Sequence, residues 1–286
     1  MKIYLTQILD YLVNVLQSTG HQLFILFGPF LVLVVLLNLS AMMTARQSVR
    51  FWGRDLFLYG FAWLGCSVHE LSHAFFAIIF GHKITEVELF KPDKNGESLG
   101  HVSHSYNKRS IYQKIGNFFI GISPLLSGGI VLYFTALVLF HFDVTNRANF
   151  DISTNVFSDL GLLKSIGNDI LNSLKSVFFL VFTGSNAVWW RSTLFFYVLY
   201  SVGSSMTLSK SDVNSALQGF LWVIVLFLFF NLVTLWIGPF ATDFLTSKVK
   251  YISGFYFLLI LSMITNLIFI LLLAVLNLIK GLFVGR

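Results

Sequence analysis

The sequence predicts an all-α polytopic membrane protein of about six transmembrane helices, with a small β-hairpin between two of them. Of its 286 residues, 56% are hydrophobic and only 11% are charged, whereas about a quarter of the residues are charged in soluble domains. Several apolar runs reach the length of about 20 residues that a helix needs to cross a bilayer. The length of the chain allows a single membrane domain, 1–286, and no sizeable soluble domain.

The first part of the chain predicts an amphipathic helix followed by a first span. Residues 1–19 place apolar side chains at near-helical spacing among polar ones, a pattern typical of a helix at the membrane interface. Residues 21–43 are long and apolar enough to span, and Gly28 and Pro29 predict a bend. The connector 44–55 carries three arginines beside a tryptophan, which suits the level of the lipid headgroups.

Residues 56–142 are predicted to contain two spans with a hairpin between them. The second span covers 56–81 and the third covers 115–142. Between them, apolar and polar residues alternate on both sides of a turn predicted at 93–96, which is typical of a β-hairpin. Such a hairpin offers an extended edge to which an unwound peptide can pair as an added strand.

The rest of the chain predicts a polar surface segment and three more spans. Residues 143–173 are polar, with short amphipathic pieces, and we expect them to lie outside the membrane. The remaining spans belong to 178–286 and are predicted within 178–206, 220–236 and 252–278.

The second span carries His69, Glu70 and His73, an HExxH arrangement. On a helix, residues four apart share a face, so both imidazoles can bind one tetrahedral metal ion while Glu70 reaches a water molecule. Titratable groups at a helix centre in lipid cost about 2.5 to 3.5 kcal/mol each, so three of them need compensation. The motif predicts a Zn²⁺ ion bound by the two histidines, with Glu70 as the catalytic base. The alternatives are a structural metal and a histidine pair with purely structural partners.

A catalytic zinc ion needs a third protein ligand and an open position for water. The candidates are Asp212, His101 and His104. Counting the membrane crossings places residues 206–212 on the same side as the motif, which favours Asp212. The alternative for Asp212 is an N-cap of a helix over 213–217. His104 is also a candidate for polarising a substrate carbonyl or stabilising an oxyanion.

This pattern resembles the site-2 protease family of intramembrane zinc metalloproteases. The similarity lies in HELSHAFFAIIFGHKI, in the hairpin with Gly100 and Val102, and in ISPLLSG at the start of the next span. The resemblance implies that an aspartate on a later helix completes the zinc site, and by position this is Asp212. The chain differs from the usual pattern because Val213, not glycine, follows this aspartate. It would be a compact member without a PDZ domain.

The predicted function is zinc-dependent hydrolysis of a peptide bond in a single-span or multi-span membrane protein, within the lipid bilayer. Two other functions remain open. One is a non-enzymatic assembly or chaperone subunit that keeps a protease-like core. The other is a di-iron membrane desaturase or hydroxylase, prompted by the histidines of HELSH and HVSH, although such enzymes need further histidine clusters and none follows His141.

Charge and cysteine content restrict the remaining possibilities. The net charge of +6 is scattered through loops and forms no basic stripe, so we expect contact with the membrane surface and not with nucleic acid. Six basic residues in the hairpin region predict a cytosolic hairpin at the cell membrane, whereas the arginines of the first connector favour the opposite orientation. Cys66 is the single cysteine, which excludes an intramolecular disulfide. We interpret it as a small packing residue and not as a metal ligand or switch.

Overall fold

Helices form most of the protein, and a two-stranded sheet interrupts them. A computed structural model describes residues 2–92, 99–143, 160–184 and 186–284. The helical elements are α1 (Lys2–Trp52), α2 (Arg54–Phe57), a π-helix (Leu58–Ala62), α3 (Trp63–Ile79), α4 (Ile111–Phe140), α5 (Leu160–Phe182), α6 (Trp189–Gly203), α7 (Lys210–Thr234), α8 (Phe240–Ser247) and α9 (Val249–Val284). The strands are β1 (Lys83–Glu88) and β2 (His101–Ser105). The predicted all-α class with a small hairpin is confirmed.

Four helices are long and apolar enough to cross a membrane, namely α1, α4, α7 and α9. They support a multi-pass membrane protein. Within the described ranges, the predicted second and fourth spans do not belong to this group. The reason is length, because α3 has 17 residues and α6 has 15, fewer than the roughly 20 that a spanning helix needs.

The N-terminal helix differs from the prediction. α1 is one helix of 51 residues, so the amphipathic segment 1–19 is not a helix of its own. Polar side chains hold α1 against α7 at the junction of the two predicted segments, because Gln22 donates from Nε2 to Asn231 Oδ1 at 3.1 Å and Asn231 donates from Nδ2 to Gln22 Oε1 at 2.8 Å. The helix also takes in most of the predicted connector 44–55. It ends before Gly53, which has a positive φ of 83°.

The hairpin lies where the sequence predicts it. β1 and β2 pair antiparallel, with Glu88 opposite His101, and the predicted turn at 93–96 lies outside the described residues. The hairpin packs against α3. A Cβ atom at Gly100 would lie only 2.9 Å from Glu70 Cγ, so the start of β2 is in close contact with the HExxH motif.

The predicted span 178–206 is not one continuous helix. α5 ends at Phe182 and α6 begins at Trp189, which divides the predicted span 178–206. Of the predicted surface segment 143–173, residues 144–159 lie outside the described residues and 160–173 form the first part of α5.

α4 packs against α3 and α7, and α6 packs against α3 and α4. Helices from both halves of the chain therefore surround α3.

Candidate metal centre

The two histidines of the motif face each other one helical turn apart on α3. The distance between His69 Nε2 and His73 Nε2 is 3.2 Å. Asp212, in the first turn of α7, places Oδ1 3.4 Å from His73 Nε2 and Oδ2 3.9 Å from His69 Nε2. One ligand atom from each of the three residues lies within 4.8 Å of the others. The fold thus brings together the three residues predicted as metal ligands.

Backbone carbonyl groups orient both imidazoles. His69 Nδ1 lies 3.0 Å from the Ser205 oxygen, and His73 Nδ1 lies 2.9 Å from the Ile120 oxygen. A carbonyl oxygen only accepts hydrogen bonds, so each Nδ1 carries the hydrogen and each neutral ring keeps a lone pair at Nε2. Two lone pairs and a carboxylate that face one another repel unless a cation lies between them. These three residues therefore form a donor set that can hold a metal ion.

The spacing of the donor atoms also fits zinc. With zinc–ligand bonds of about 2.0 to 2.1 Å, neighbouring ligand atoms of a tetrahedron lie about 3.3 Å apart. Both distances that involve His73, 3.2 and 3.4 Å, match this value. The distance of 3.9 Å from His69 to Asp212 needs only a small side-chain adjustment. Three protein ligands leave one tetrahedral position open, as in catalytic zinc sites.

Pro124 makes the carbonyl partner of His73 accessible. In an uninterrupted α-helix the N–H of residue 124 would bond the carbonyl of Ile120, but proline has no N–H. The Ile120 oxygen instead accepts from His73 Nδ1 and, at 2.8 Å, from Ser123 Oγ. The proline of ISPLLSG thus leaves a carbonyl acceptor available to the candidate metal centre.

Two glycines allow the surrounding helices to approach closely. A Cβ atom at Gly121 of α4 would lie 2.5 Å from the Asp212 oxygen, and a Cβ atom at Gly65 of α3 would lie 2.1 Å from the Ser201 oxygen of α6. A side chain at either position would push the neighbouring helix away, which is why small residues are favoured at such interfaces. The first contact brings Asp212 to the histidines. The second brings the end of α6, and with it the Ser205 carbonyl, to His69.

Asp212 takes part in capping the N-terminus of α7 and also faces the two histidines. Its Oδ2 accepts a hydrogen bond from the backbone N–H of Ser209 at 2.7 Å, and Ser209 Oγ accepts one from the backbone N–H of Asp212 at 3.2 Å. This reciprocal pair is a capping box. The N-cap of α7 is Ser209, so the alternative that made Asp212 the N-cap of 213–217 is wrong. Oδ1, the oxygen that faces His73, takes no part in the cap.

Glu70 lies beside the three candidate ligands in a polar cavity of about 290 Å³. The residue is only 8% exposed. The cavity walls come from α3, the start of β2, α4 and the first two turns of α7, where Ser211 and Ser215 add hydroxyl groups. A buried carboxylate next to a metal-binding group, in a space large enough for water, can transfer a proton.

His101 lines the same cavity, but it pairs with carboxylates of the hairpin. Its Nε2 lies 3.1 Å from Glu86 Oε2 and its Nδ1 lies 3.4 Å from Glu88 Oε2. The hydrogen bond with Glu86 and the nearby negative charges raise the pKa of His101. His101 therefore belongs to an exposed group of ionisable residues and not to the ligand set of the motif.

His104 also lines the cavity, and its partner is a residue that the sequence analysis missed. His104 Nδ1 lies 3.0 Å from His82 Nδ1, and His82 Nε2 lies 2.9 Å from the Gln113 oxygen. Burial lowers the pKa of both histidines. The sequence offers only a faint signal for His82, because its contact with His104 forms when β2 folds back along β1.

Cys66 lies outside the candidate ligand group. It is 8% exposed, and its Sγ donates to the Leu89 oxygen at 3.4 Å. Among the described residues, the ligand atoms that gather near His69 come only from His73 and Asp212. This agrees with the interpretation of Cys66 as a packing residue.

No family model, curated protein or solved structure matches this chain. The function of the site therefore has to be inferred from the geometry of its own residues.

Proposed function

We propose that this chain is an intramembrane zinc metalloendopeptidase that hydrolyses a peptide bond in a membrane-embedded protein substrate. One observation carries the proposal: two histidine nitrogens, a carboxylate and a buried glutamate meet in a single polar cavity. The resemblance to the site-2 protease family supports the same function. In the part of the chain that the structure describes, the ligand atoms that gather at the motif come from two histidines and one aspartate. This set suits one zinc ion better than a di-iron centre, which needs several histidine clusters.

His69, His73 and Asp212 would hold the metal, and a bound zinc ion supplies Lewis-acid activation of water and of the scissile carbonyl. Glu70 accepts the proton that the attacking water loses and then donates it to the nitrogen of the leaving amine. The hydroxyl groups of Ser211 and Ser215 keep the cavity polar, so that water can enter a site that lies among apolar helices.

The substrate must present an unwound segment, because a carbonyl in an intact helix is hydrogen-bonded and sterically covered. The hairpin packs against α3 and offers an extended backbone beside the cavity, which suits pairing with an extended peptide. We propose six crossings in total, namely the four long apolar helices, the segment from Arg54 to Ile79, and the predicted span 178–206 that contains α6. The helical segment from Arg54 to Ile79, formed by α2, the π-helix and α3, together exceeds the roughly 20 residues that a span requires. We propose a cytosolic position for the hairpin, because the basic residues of this region favour that side of a cell membrane.

The test combines metal analysis with a cleavage assay on purified protein in detergent. The variants are Glu70→Gln, His73→Ala and Asp212→Ala, and the probe is a mixture of apolar peptides that model single membrane spans. We expect about one zinc ion per chain in wild type and in Glu70→Gln, and loss of zinc in the other two variants. Cleavage should occur in wild type and fall by about 10²-fold or more in Glu70→Gln.

Other outcomes point elsewhere. Cleavage retained in Glu70→Gln would remove its role as the proton carrier. Zinc bound by a wild-type protein that cuts no peptide would favour the non-enzymatic assembly subunit. Iron in place of zinc, with oxidation of lipid that depends on dioxygen, would favour the desaturase. Each variant should show the elution volume of the wild type, so that loss of metal is not mistaken for loss of fold.

A further inference from the structure

A second pair of histidines determines what one wall of the cavity can offer to a ligand. His104 lines the cavity together with Glu70. One of its ring nitrogens, Nδ1, is engaged with His82 Nδ1 at 3.0 Å. The nitrogen that remains for a ligand is therefore Nε2.

The contact between His82 and the Gln113 oxygen determines which nitrogen of each ring carries the hydrogen. His82 Nε2 lies 2.9 Å from the Gln113 oxygen, which only accepts, so His82 carries its hydrogen at Nε2. Neutral His82 then has a lone pair at Nδ1, and His104 must donate to it from its own Nδ1. Neutral His104 keeps a lone pair at Nε2. The cavity wall thus presents a hydrogen-bond acceptor at this point and not a donor.

Neighbouring residues hold the pair in this arrangement. The Tyr106 ring stacks on His82 with a centroid distance of 5.1 Å. The Gln113 side chain is fixed at both ends, because Nε2 donates to the Gly81 oxygen at 2.7 Å and Oε1 accepts from the backbone N–H of Asn107 at 2.6 Å. His82 is 5% exposed. Burial lowers the pKa of both rings, which agrees with neutral histidines.

We propose that His104 Nε2 accepts a hydrogen bond from a backbone N–H of the substrate, and that His82 is a positioning residue that fixes the tautomer of His104. The proposal rests on the proposed function. A peptide segment that unwinds within a membrane exposes N–H groups that have lost their helical partners, and these groups need acceptors. An oxyanion needs a donor, so this role differs from the one first considered for His104.

The test pairs variants of His104 with substrates that lack single N–H groups. In one series of cleavable peptides, each backbone amide near the cut bond is replaced in turn by an ester, which removes one N–H donor. The enzymes are wild type, His104→Asn, His104→Gln and His82→Phe. The asparagine amide reaches the position of histidine Nδ1, so it can bond His82 but leaves the cavity without its acceptor. The longer glutamine amide reaches the position of Nε2.

At one peptide position, we expect the ester to lower kcat/KM about tenfold for wild type and to have little effect for His104→Asn. His104→Gln should recover part of this discrimination between amide and ester, and His82→Phe should weaken it, while zinc content stays at one per chain in all four proteins. His101→Asn, which alters another histidine on β2, should keep the discrimination of the wild type.

Two results would overturn the proposal, and only the second would also overturn the proposed function. If wild type cleaves the amide peptides and every ester affects wild type and His104→Asn equally, His104 accepts no hydrogen bond from the substrate, although the proposed function stands. If wild type binds zinc but cleaves none of the peptides, the proposed function fails and the role of His104 fails with it.

Discussion

His73 donates from Nδ1 to the carbonyl oxygen of Ile120 at 2.9 Å, although Ile120 lies inside a helix. This carbonyl is accessible because Pro124 follows four residues later and has no N–H to offer. The orientation of a candidate metal ligand on α3 therefore depends on a proline in α4. Outer partners of this kind fix the tautomer and direction of histidine ligands, and their loss weakens metal binding.

Replacing Pro124 by alanine should weaken zinc binding. The alanine would bring an N–H that competes with His73 for the Ile120 oxygen, so the imidazole would lose part of its orientation. We expect zinc affinity to fall by about tenfold, measured by competition with a chelator of known affinity. Pro29→Ala is the matched control, because Pro29 also lies inside a helix, α1, and is not among the residues that line the cavity. Equal affinities in Pro124→Ala and wild type would show that His73 does not depend on this acceptor.

A side chain at Gly121 should separate the ligands. A Cβ atom there would lie 2.5 Å from the Asp212 oxygen and 2.7 Å from the Ala216 nitrogen, both backbone atoms that cannot move alone. Gly121→Ala should displace the start of α7, lower stability by about 1 to 3 kcal/mol and reduce zinc content. Thermal unfolding in detergent and elemental analysis provide the two measurements.

Gly20→Ala is the control for that experiment. Gly20 also lies within a helix, but a Cβ atom there would meet nothing within 4 Å, so this variant should keep its zinc and be no less stable than wild type. Full zinc content in Gly121→Ala would mean that α4 and α7 can move apart without moving Asp212.

The parts of the site that the sequence predicts are those with local patterns. His69 and His73 share a face because four residues make about one helical turn, and Asp212 was found by counting membrane crossings. The contacts that orient these ligands were not predictable in this way. The Ser205 carbonyl reaches His69 through the packing of α6 on α3, and this packing leaves no periodic signal in the sequence.

The same distinction explains the errors in the fold. The prediction that a separate interfacial helix ends near residue 20 relied on a change in hydropathy. In the structure α1 continues through this point. There, Gln22 and Asn231 form reciprocal hydrogen bonds between segments far apart in sequence. The hairpin was predictable because alternation and turn residues are local. The number of spans was less predictable from the sequence, because α3 and α6 are shorter than the apolar runs that contain them.

The role of Asp212 in capping α7 and its role as a candidate metal ligand can be tested separately by changing its capping partner, Ser209. Ser209→Ala removes the hydroxyl that accepts from the Asp212 N–H, so it should lower stability by about 1 kcal/mol. Oδ1 of Asp212 would still face His73, so we expect zinc content to stay near one per chain. Asp212→Asn keeps a capping side chain but loses the charge of the ligand, and it should lose zinc. Loss of zinc in both variants would mean that the capping box is needed to aim the carboxylate.

A final prediction concerns a buried hydroxyl between α6 and α9. Ser262 is fully buried, and its Oγ has no hydrogen-bond partner among the described residues. Burying an unpaired hydroxyl costs free energy, so Ser262→Ala should leave stability unchanged or raise it by about 1 kcal/mol. The midpoint of thermal unfolding in detergent is the measurement.

Ser48→Ala is the matched comparison, because Ser48 is equally buried but bonds both the Thr44 oxygen and the Tyr200 hydroxyl. Its removal leaves Tyr200 without this partner, and we expect a loss of about 1 to 3 kcal/mol. The opposite signs of the two serine substitutions distinguish an unpaired hydroxyl from a paired one at the same depth. If Ser262→Ala destabilises the protein as much as Ser48→Ala does, then Ser262 has a partner in solution, and an ordered internal water molecule is the kind of partner that buried hydroxyl groups bind.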